Sequence, residues 1–216
     1  MMKPGQPFRR VPSASPWRER IVLRDGRELL LRPIDPTDLE PIRHGFVLLD
    51  PEEVRMRYQH PVKWLDDAYL QRLVHPRRGQ DFTLVLAEPL PPGQALVGAV
   101  ARMARAPKSD AVEFAILVSH FLAGRGLGRL LLSKLIRRAR RSGLRAIYGD
   151  VLIGNEPMLR LARSLGFQRH PTDDPGMVRV QRDLLPAADA SPATPAAPVQ
   201  DATPDNAAPA PDSPVA

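Results

Sequence analysis

The chain has 216 residues, 43% hydrophobic and 25% charged, a composition typical of one globular domain rather than a fibrous or disordered chain. It contains no cysteine, which excludes disulfides and thiolate chemistry and favours a cytoplasmic location. No segment approaches the roughly 20 apolar residues of a membrane-spanning helix, and the N-terminus lacks a hydrophobic signal core, so no membrane partner is expected.

Composition divides the chain into three parts. Residues 1–20, with several arginines and prolines, are predicted to be a flexible N-terminal segment, and residues 21–185 one folded domain. Residues 186–216 are mostly Pro, Ala, Asp, Ser and Thr and cannot bury enough surface to offset their ordering entropy, which predicts a disordered acidic tail. Because this tail holds four of the 24 acidic residues, residues 1–185 carry a net charge of +11 and should attract polyanions.

The first half of the predicted domain has the pattern of a hairpin, three helices and a second hairpin. Asp25-Gly26 tolerates positive φ and separates two apolar runs, so it predicts a hairpin turn. Asp50-Pro51 and Asp66 are typical of helix starts. Strands are predicted over 21–24, 28–31, 82–87 and 96–101, and helices over 39–49, 52–58 and 66–74.

The second half contains a strand, a helix and a second strand in close succession. A strand is predicted over 112–118, and a helix over 127–142 because its leucines recur at helical spacing and Gly143 follows its last, arginine-rich turn. A strand over 146–152, a helix over 155–165 and a strand over 178–184 complete the order. A strand–helix–strand unit crosses over, so the strands at 112 and 146 are predicted to be parallel neighbours in a mixed sheet.

The loop between the strand at 112 and its helix has glycine at every second position: Gly124, Gly126 and Gly128. A helix start offers unpaired N–H groups and the positive end of the helix dipole, and glycines let a phosphate approach the main chain. The spacing matches neither the dinucleotide fingerprint nor the P-loop. It therefore indicates a phosphorylated ligand without identifying it.

This arrangement resembles the GNAT acetyltransferase superfamily. The residues that carry the likeness are Glu113-Phe-Ala-Ile-Leu-Val118, the glycine loop with its basic helix, and Asn155 to Phe167. The pattern is most similar to the catalytic domain of Pat-type protein lysine acetyltransferases; the close match covers 112–184, and 21–111 fits more loosely. Ala123 departs from the Gln or Arg usual at that position. The resemblance implies an α/β fold with a mixed, mostly antiparallel central sheet, one splayed parallel strand pair and flanking helices.

The resemblance also implies acetyl-CoA as the co-substrate, held between the two splayed strands. Its pantetheine arm would pair with the main chain after Phe114, at Leu117 and Val118, and Asn155 would contact the cofactor, besides being a good helix N-cap. The pyrophosphate would bind the main-chain amides of Gly124, Arg125, Gly126, Leu127, Gly128 and Arg129.

Glu113 is the candidate general base, since it is a carboxylate within an otherwise apolar strand and the resemblance places the base at this position. A lysine acceptor, with a pKa of about 10.4, must lose a proton before it can attack. The alternative is that Glu113 faces solvent or pairs with an arginine. The tyrosine that serves as general acid in much of the superfamily is replaced by Ala162, so Tyr148 or a water remains open for that role.

Three functions are compatible with the sequence. The first is an N-acetyltransferase that transfers an acetyl group from acetyl-CoA to a primary amine, either a protein lysine or a small amine. The second is a non-catalytic coenzyme A sensor, and the third is a nucleic-acid binder, which the charge favours but the lack of a recognition motif and the scarcity of aromatics oppose. The five histidines are scattered and have no cysteine partners, so no metal site is expected.

Overall fold

Nine strands form one sheet in the computed structural model, which describes residues 6–184. The strands are β1 Phe8–Pro12, β2 Glu19–Leu23, β3 Glu28–Pro33, β4 Asp81–Ala87, β5 Val97–Ala104, β6 Ala111–Val118, β7 Ala146–Leu152, β8 Gln168–Pro171 and β9 Met177–Asp183. The helices are α1 Leu39–Phe46, α2 Pro51–Tyr58, α3 Asp67–Val74, α4 Leu127–Arg141 and α5 Glu156–Ser164. Within the described residues no helix is long and apolar enough to cross a membrane.

The strand order is β1-β2-β3-β4-β5-β6-β7-β9-β8. All neighbouring pairs are antiparallel except β6 and β7, which are parallel. The predicted mixed, mostly antiparallel sheet with one parallel pair is therefore confirmed. Strand β8 was not predicted, because Gln168-Arg-His-Pro171 is polar and fully exposed and lies at the sheet edge.

Residues 1–20, predicted to be a flexible segment, contain strand β1 and the start of β2. Strand β1 pairs with β2 along its whole length, and Arg10 of β1 donates two hydrogen bonds, of 2.6 and 2.7 Å, to Glu19 of β2. Glu19 also accepts a hydrogen bond from Lys134 of α4, a fully buried side chain. The pattern Phe8-Arg-Arg-Val-Pro12 has no apolar alternation, so these ionic contacts with distant residues were not visible in the sequence. The predicted tail, residues 186–216, lies outside the described residues.

Two cores lie on opposite faces of the sheet. Val112 and Phe114 of β6 point to the face covered by α4 and α5, where they share a core with Leu131 of α4 and Leu159 of α5. Helices α1 to α3 pack on the other face around residues such as Leu70. Because side chains alternate along a strand, Glu113 and the residues two and four positions later point toward α1 to α3.

Strands β6 and β7 separate after a short parallel ladder. Their pairing covers only three positions and ends where Glu113 pairs with Tyr148. On its other side, β6 stays paired with β5 as far as Val118. A Cβ added at Gly149 would lie 2.9 Å from Cζ and 3.0 Å from the carbonyl oxygen of Phe114, so glycine is required where the Phe114 ring fills the point of separation.

Candidate active site

Glu113 lies at the point where the two parallel strands part, half-buried on the face of the sheet covered by α1 to α3. Its partner across the ladder, Tyr148, is 2% exposed and packs against Ala111 and Ala146, the small residues that precede this pair on the two strands. The sequence predicted that the Glu113 carboxylate lies in an apolar strand, and the structure places this carboxylate beside the buried phenol of Tyr148.

An arginine that sequence reasoning missed lies beside this pair. Arg179 of β9 donates hydrogen bonds of 2.8 and 2.7 Å to the two carboxylate oxygens of Asp150, and its Cζ lies 4.5 Å from the centre of the Tyr148 ring. The hydrogen bond to Asp150 raises the pKa of Arg179 against the opposing effect of burial, and the charges of Asp150 and Glu113 raise it further. The site therefore contains a fixed cation next to the candidate base.

The only sequence signal for this cation was the alternation of Val178-Arg179-Val180, which is typical of a half-exposed strand. Its pairing with Asp150 depends on the antiparallel register between β7 and β9. That register could not be read from local sequence, because a helix and strand β8 separate the two strands along the chain.

The edge of β6 beyond Glu113 faces the gap between the strands. Among the described residues, no strand pairs with the β7 side of Phe114–Val118. The Leu117 side chain points away from this gap and lines a cavity below α1 to α3, whereas Val118 packs against the core below α4. Only the main chain of these two residues is thus placed to pair with a ligand in the gap.

The glycine loop forms the start of α4. Gly124 and Gly126 have φ of 70° and 73°, a left-handed conformation that favours glycine, and Gly126 is the N-cap of the helix. A Cβ at Gly124 would have no atom within 4 Å, whereas one at Gly126 would lie 3.1 Å from Cγ of Pro7. Leu127 has a buried side chain, so it offers the loop only its main chain. The first turn of α4 contains no acidic residue.

The two arginines of the loop are held by neighbouring segments. Arg125 donates a 2.9 Å hydrogen bond to Asp25 in the turn between β2 and β3, and Arg129 donates one of 2.6 Å to the hydroxyl of Ser164 in α5. Gly128 lies inside the helix, where a Cβ would approach a Leu161 methyl to 3.3 Å, so glycine permits the close packing of α4 on α5.

Asn155 lies at the same end of the sheet as the glycine loop, because each follows the carboxyl end of one of the two parallel strands. Its side-chain oxygen accepts a 3.1 Å hydrogen bond from the Met158 amide, as the predicted N-cap of α5. Its structural role is thereby accounted for, and its amide NH₂ is the group that remains to contact a ligand.

Helix α2 lies across the gap on the opposite face. At its first turn Glu53 is 2.9 Å from Nδ1 of His120, just after β6, and at its C-terminus Gln59 donates a 3.1 Å hydrogen bond to the Asp150 carbonyl of β7. The helix is thus attached to both separating strands. Asp50 and Glu53 form a capping box at its start, which positions it.

A cavity of about 50 Å³ lies between α1 to α3 and the strands β5 and β6. Its wall on β6 consists of Ala115 and Leu117, which follow Glu113 on the same face of the strand. Aliphatic side chains make up most of the remaining lining, with two tyrosines and two arginines among them. Within residues 6–184, no three His, Asp or Glu side chains come together as metal ligands would.

Comparison with known proteins identifies this arrangement. The family model described as "Acetyltransferase (GNAT) domain" matches residues 28–168. Acetyltransferase PA5475 of Pseudomonas aeruginosa is 30% identical over 155 residues, which cover 70% of this chain and 82% of that protein.

Solved structures show the same fold. The GNAT domain of S. lividans PAT superposes with a TM-score of 0.69 at 25% identity, covering 80% of this chain and all of that domain. The putative acetyltransferase yncA from Salmonella typhimurium, solved with its cofactor acetyl-CoA, has a TM-score of 0.59 at 22% identity and covers 78% of this chain and 99% of that one. The chain therefore belongs to the GNAT family of acetyltransferases.

Proposed function

We propose that this protein transfers an acetyl group from acetyl-CoA to a primary amine, with a protein lysine as the acceptor. The observation that carries the proposal is the end of the β6–β7 ladder at Glu113 and Tyr148, which puts a carboxylate at the apex of an open gap. The glycine loop at the end of the same strand supports it, because a cofactor that spans from apex to loop would meet both.

The residues present fit coenzyme A. Main-chain amides of residues 124–129 lie at the positive end of the α4 dipole, where a pyrophosphate is favoured and no acidic side chain in the first turn opposes it. The β7-facing edge of β6 offers main-chain groups at Leu117 and Val118 to the amides of a pantetheine arm, in the manner of an added strand. Asn155, at the start of α5, would contact the cofactor from the other side of the gap.

Glu113 would accept the proton that the amine loses as its nitrogen forms a bond to the acetyl carbon. The carbon–sulfur bond breaks, the sulfur keeps its electron pair, and coenzyme A takes up a proton to leave as the thiol. An unperturbed lysine amine is almost wholly protonated at pH 7 and must lose a proton before it attacks. A base at this position would therefore account for most of the increase in the transfer rate. Arg179 would act on Glu113 through its charge, since the two interact electrostatically and the guanidinium is fixed by its hydrogen bonds to Asp150.

The protein-lysine acceptor rests on the resemblance to Pat-type enzymes and on the similarity to the S. lividans PAT domain. The test is incubation of the purified protein with radiolabelled acetyl-CoA and a whole-cell lysate, with Glu113→Gln as the control. Label in proteins that depends on Glu113 supports the proposal. Label confined to small amines would replace the acceptor, and saturable coenzyme A binding without transfer would favour a sensor.

A further inference from the structure

We propose that the hairpin of β1 and β2, together with the turn that follows it, positions the glycine loop for the pyrophosphate of coenzyme A. Phe8 and Asp25 are then positioning residues, which act on the cofactor through Gly126 and Arg125. This inference rests on the proposed function, since it assumes that the pyrophosphate binds this loop. The matched family model begins at residue 28, so the hairpin lies outside the part of the chain that the model covers.

The start of β1 packs against the N-cap of α4. An added Cβ at Gly126 would lie 3.1 Å from Cγ of Pro7 and 3.6 Å from Cε1 of Phe8, so these two side chains cover that side of the glycine. Phe8 also packs against the core that the sheet shares with α4. The left-handed backbone at Gly126 is therefore supported from the side of β1, and removal of the Phe8 ring would open a space into which the loop can move.

The turn between β2 and β3 holds the preceding residue of the loop. Asp25 accepts a 2.9 Å hydrogen bond from Arg125, and it accepts another of 2.9 Å from Nε of Arg27 within the turn. Nε of Arg24 donates a 2.7 Å hydrogen bond to the carbonyl oxygen of Gln6, which ties the chain before β1 to the same turn. Two consecutive residues of the loop are thus held, one by the turn and one by the start of β1.

A second anchor lies further along α4. The side chain of Lys134 is fully buried, and its ammonium donates hydrogen bonds to Glu19 of β2 and, at 2.7 Å, to the carbonyl oxygen of Pro16. Arg10 of β1 completes the cluster through its two hydrogen bonds to Glu19. A buried ammonium that loses its partners is costly. Helix α4 therefore cannot slide or rotate along the hairpin without breaking this cluster.

The two anchors are separated by similar distances on the helix and on the hairpin. From Gly126 to Lys134 the helix rises by about 12 Å. From Phe8 to Pro12, the partner of Glu19, the strand extends by about 13 Å. The hairpin and the first half of α4 therefore lie side by side and are held at both ends. Because the helix is rigid, the position of its N-terminal amides relative to the gap between β6 and β7 depends on the hairpin.

Thermodynamic linkage gives a second consequence. If the docked hairpin raises the affinity of the loop for coenzyme A by some factor, bound coenzyme A must favour the docked hairpin by the same factor. Strand β1 lies at the edge of the sheet, where local opening is easiest. Its amide hydrogens should therefore exchange more slowly when coenzyme A is bound.

The first experiment measures the Kd for coenzyme A by calorimetric titration, and the transfer rate at saturating acetyl-CoA with dialysed cell lysate as the acceptor. In Phe8→Ala and in Asp25→Ala the Kd should rise by about tenfold, a coupling typical of linked sites. The rate at saturation should stay within about twofold of the wild type, because only cofactor binding is weakened. A purely structural role would lower the folded fraction, and with it the rate, without changing the Kd of the molecules that fold.

Two control variants lie in the same hairpin. Arg27→Ala matches Asp25→Ala, since it removes the other partner of Asp25 and leaves the contact with Arg125. Val11→Ala matches Phe8→Ala, because it shortens a side chain of the same strand on the face that points away from α4. Both controls should bind coenzyme A as the wild type does.

The second experiment compares hydrogen exchange of the wild type with and without saturating coenzyme A. The amides of β1 should slow by about the same tenfold factor, and by more than those of β8 at the other edge of the sheet. In Phe8→Ala the additional slowing of β1 should be lost, because the contact that couples the strand to the loop has been removed.

The outcomes separate this inference from the proposed function. If the wild type neither binds coenzyme A nor transfers an acetyl group, the proposed function fails and this inference fails with it. If the wild type binds coenzyme A but the Kd is unchanged in both Phe8→Ala and Asp25→Ala, or rises as much in the controls, the hairpin does not position the loop. Equal slowing of exchange in β1 and β8 would lead to the same conclusion. Asp25→Ala keeps the test decisive if Phe8→Ala does not fold, since Asp25 is exposed.

Discussion

Gly149→Ala should damage both stability and cofactor binding, because it closes the point where β6 and β7 separate. The new Cβ would lie 2.9 and 3.0 Å from ring atoms of Phe114 and 3.0 Å from its carbonyl oxygen. The ring could move, but the carbonyl belongs to β6, which is held by its pairing with β5.

Overpacking of this kind typically costs about 1–3 kcal/mol. In a domain of this size, 1 kcal/mol lowers Tm by roughly 2–4 °C, so a loss of about 2 kcal/mol corresponds to a fall of roughly 4–8 °C. Since the strands must also shift at the apex, coenzyme A affinity should fall. Thermal unfolding measures the first effect, and calorimetric titration with coenzyme A measures the second.

Gly154→Ala is the matched control, because its added Cβ would meet no atom within 4 Å and it lies just beyond the same strand. In a double-mutant cycle, Phe114→Leu should cost less stability in Gly149→Ala than in the wild type, because there it also removes the ring clash. If Gly149→Ala is as stable as Gly154→Ala and binds coenzyme A as tightly as the wild type, the described geometry of the apex is wrong.

Two further predictions concern the glycine loop and the N-terminal strands. Gly126→Glu should abolish saturable coenzyme A binding in calorimetry, because it adds a side chain and a negative charge at the N-cap of α4. Gly143→Glu is the control and should bind coenzyme A normally. Gly143 also has a positive φ, but it lies at the other end of α4, where an added Cβ would meet no atom within 4 Å. Binding that survives in Gly126→Glu would remove the loop from the site. For Glu19, burial raises the carboxyl pKa, but the hydrogen bonds from Arg10 and Lys134 outweigh it, and the pKa lies below its usual 4.5. The ionised Glu19 carboxylate therefore contributes its full stabilisation above about pH 4.5, and this stabilisation is lost as the pH falls through the lowered pKa. The difference in unfolding free energy between wild type and Glu19→Gln, measured by urea unfolding, should shrink in acid. A difference that is constant from pH 7 to pH 3 would contradict this.

Local sequence patterns predicted most of the elements around the site. The spacing of apolar residues, the helix-capping residues and the glycines at turns and helix ends are local signals. They were sufficient to predict α4, the strand that carries Glu113 and its parallel neighbour. Asp66 and Asn155 both cap the helices they were predicted to cap, since their side-chain oxygens accept hydrogen bonds from the Tyr69 and Met158 amides.

What could not be predicted depends on long-range register. The Arg179–Asp150 pair requires β9 to lie beside β7, and the Arg10–Glu19–Lys134 contacts require β1 and β2 to lie beside α4. The cavity is likewise a property of packing, since it arises where three short helices meet two strands and leaves no signature in any one segment.

The role of Glu113 as the general base is tested most directly by the single-turnover rate of acetyl transfer by Glu113→Gln at pH 7, with an acceptor identified by the labelling experiment. The amide keeps the shape of the side chain but cannot accept the amine proton. Loss of a general base lowers the rate by about 10²- to 10⁴-fold, or roughly 3–5 kcal/mol of barrier, whereas removal of an exposed carboxylate, as in Glu156→Gln, should change it little. We expect the single-turnover rate of Glu113→Gln to fall by this factor while its affinity for coenzyme A stays near that of the wild type. The fall in rate should become smaller as rising pH deprotonates the amine. A wild-type single-turnover rate in Glu113→Gln at pH 7 would contradict the assignment of the base.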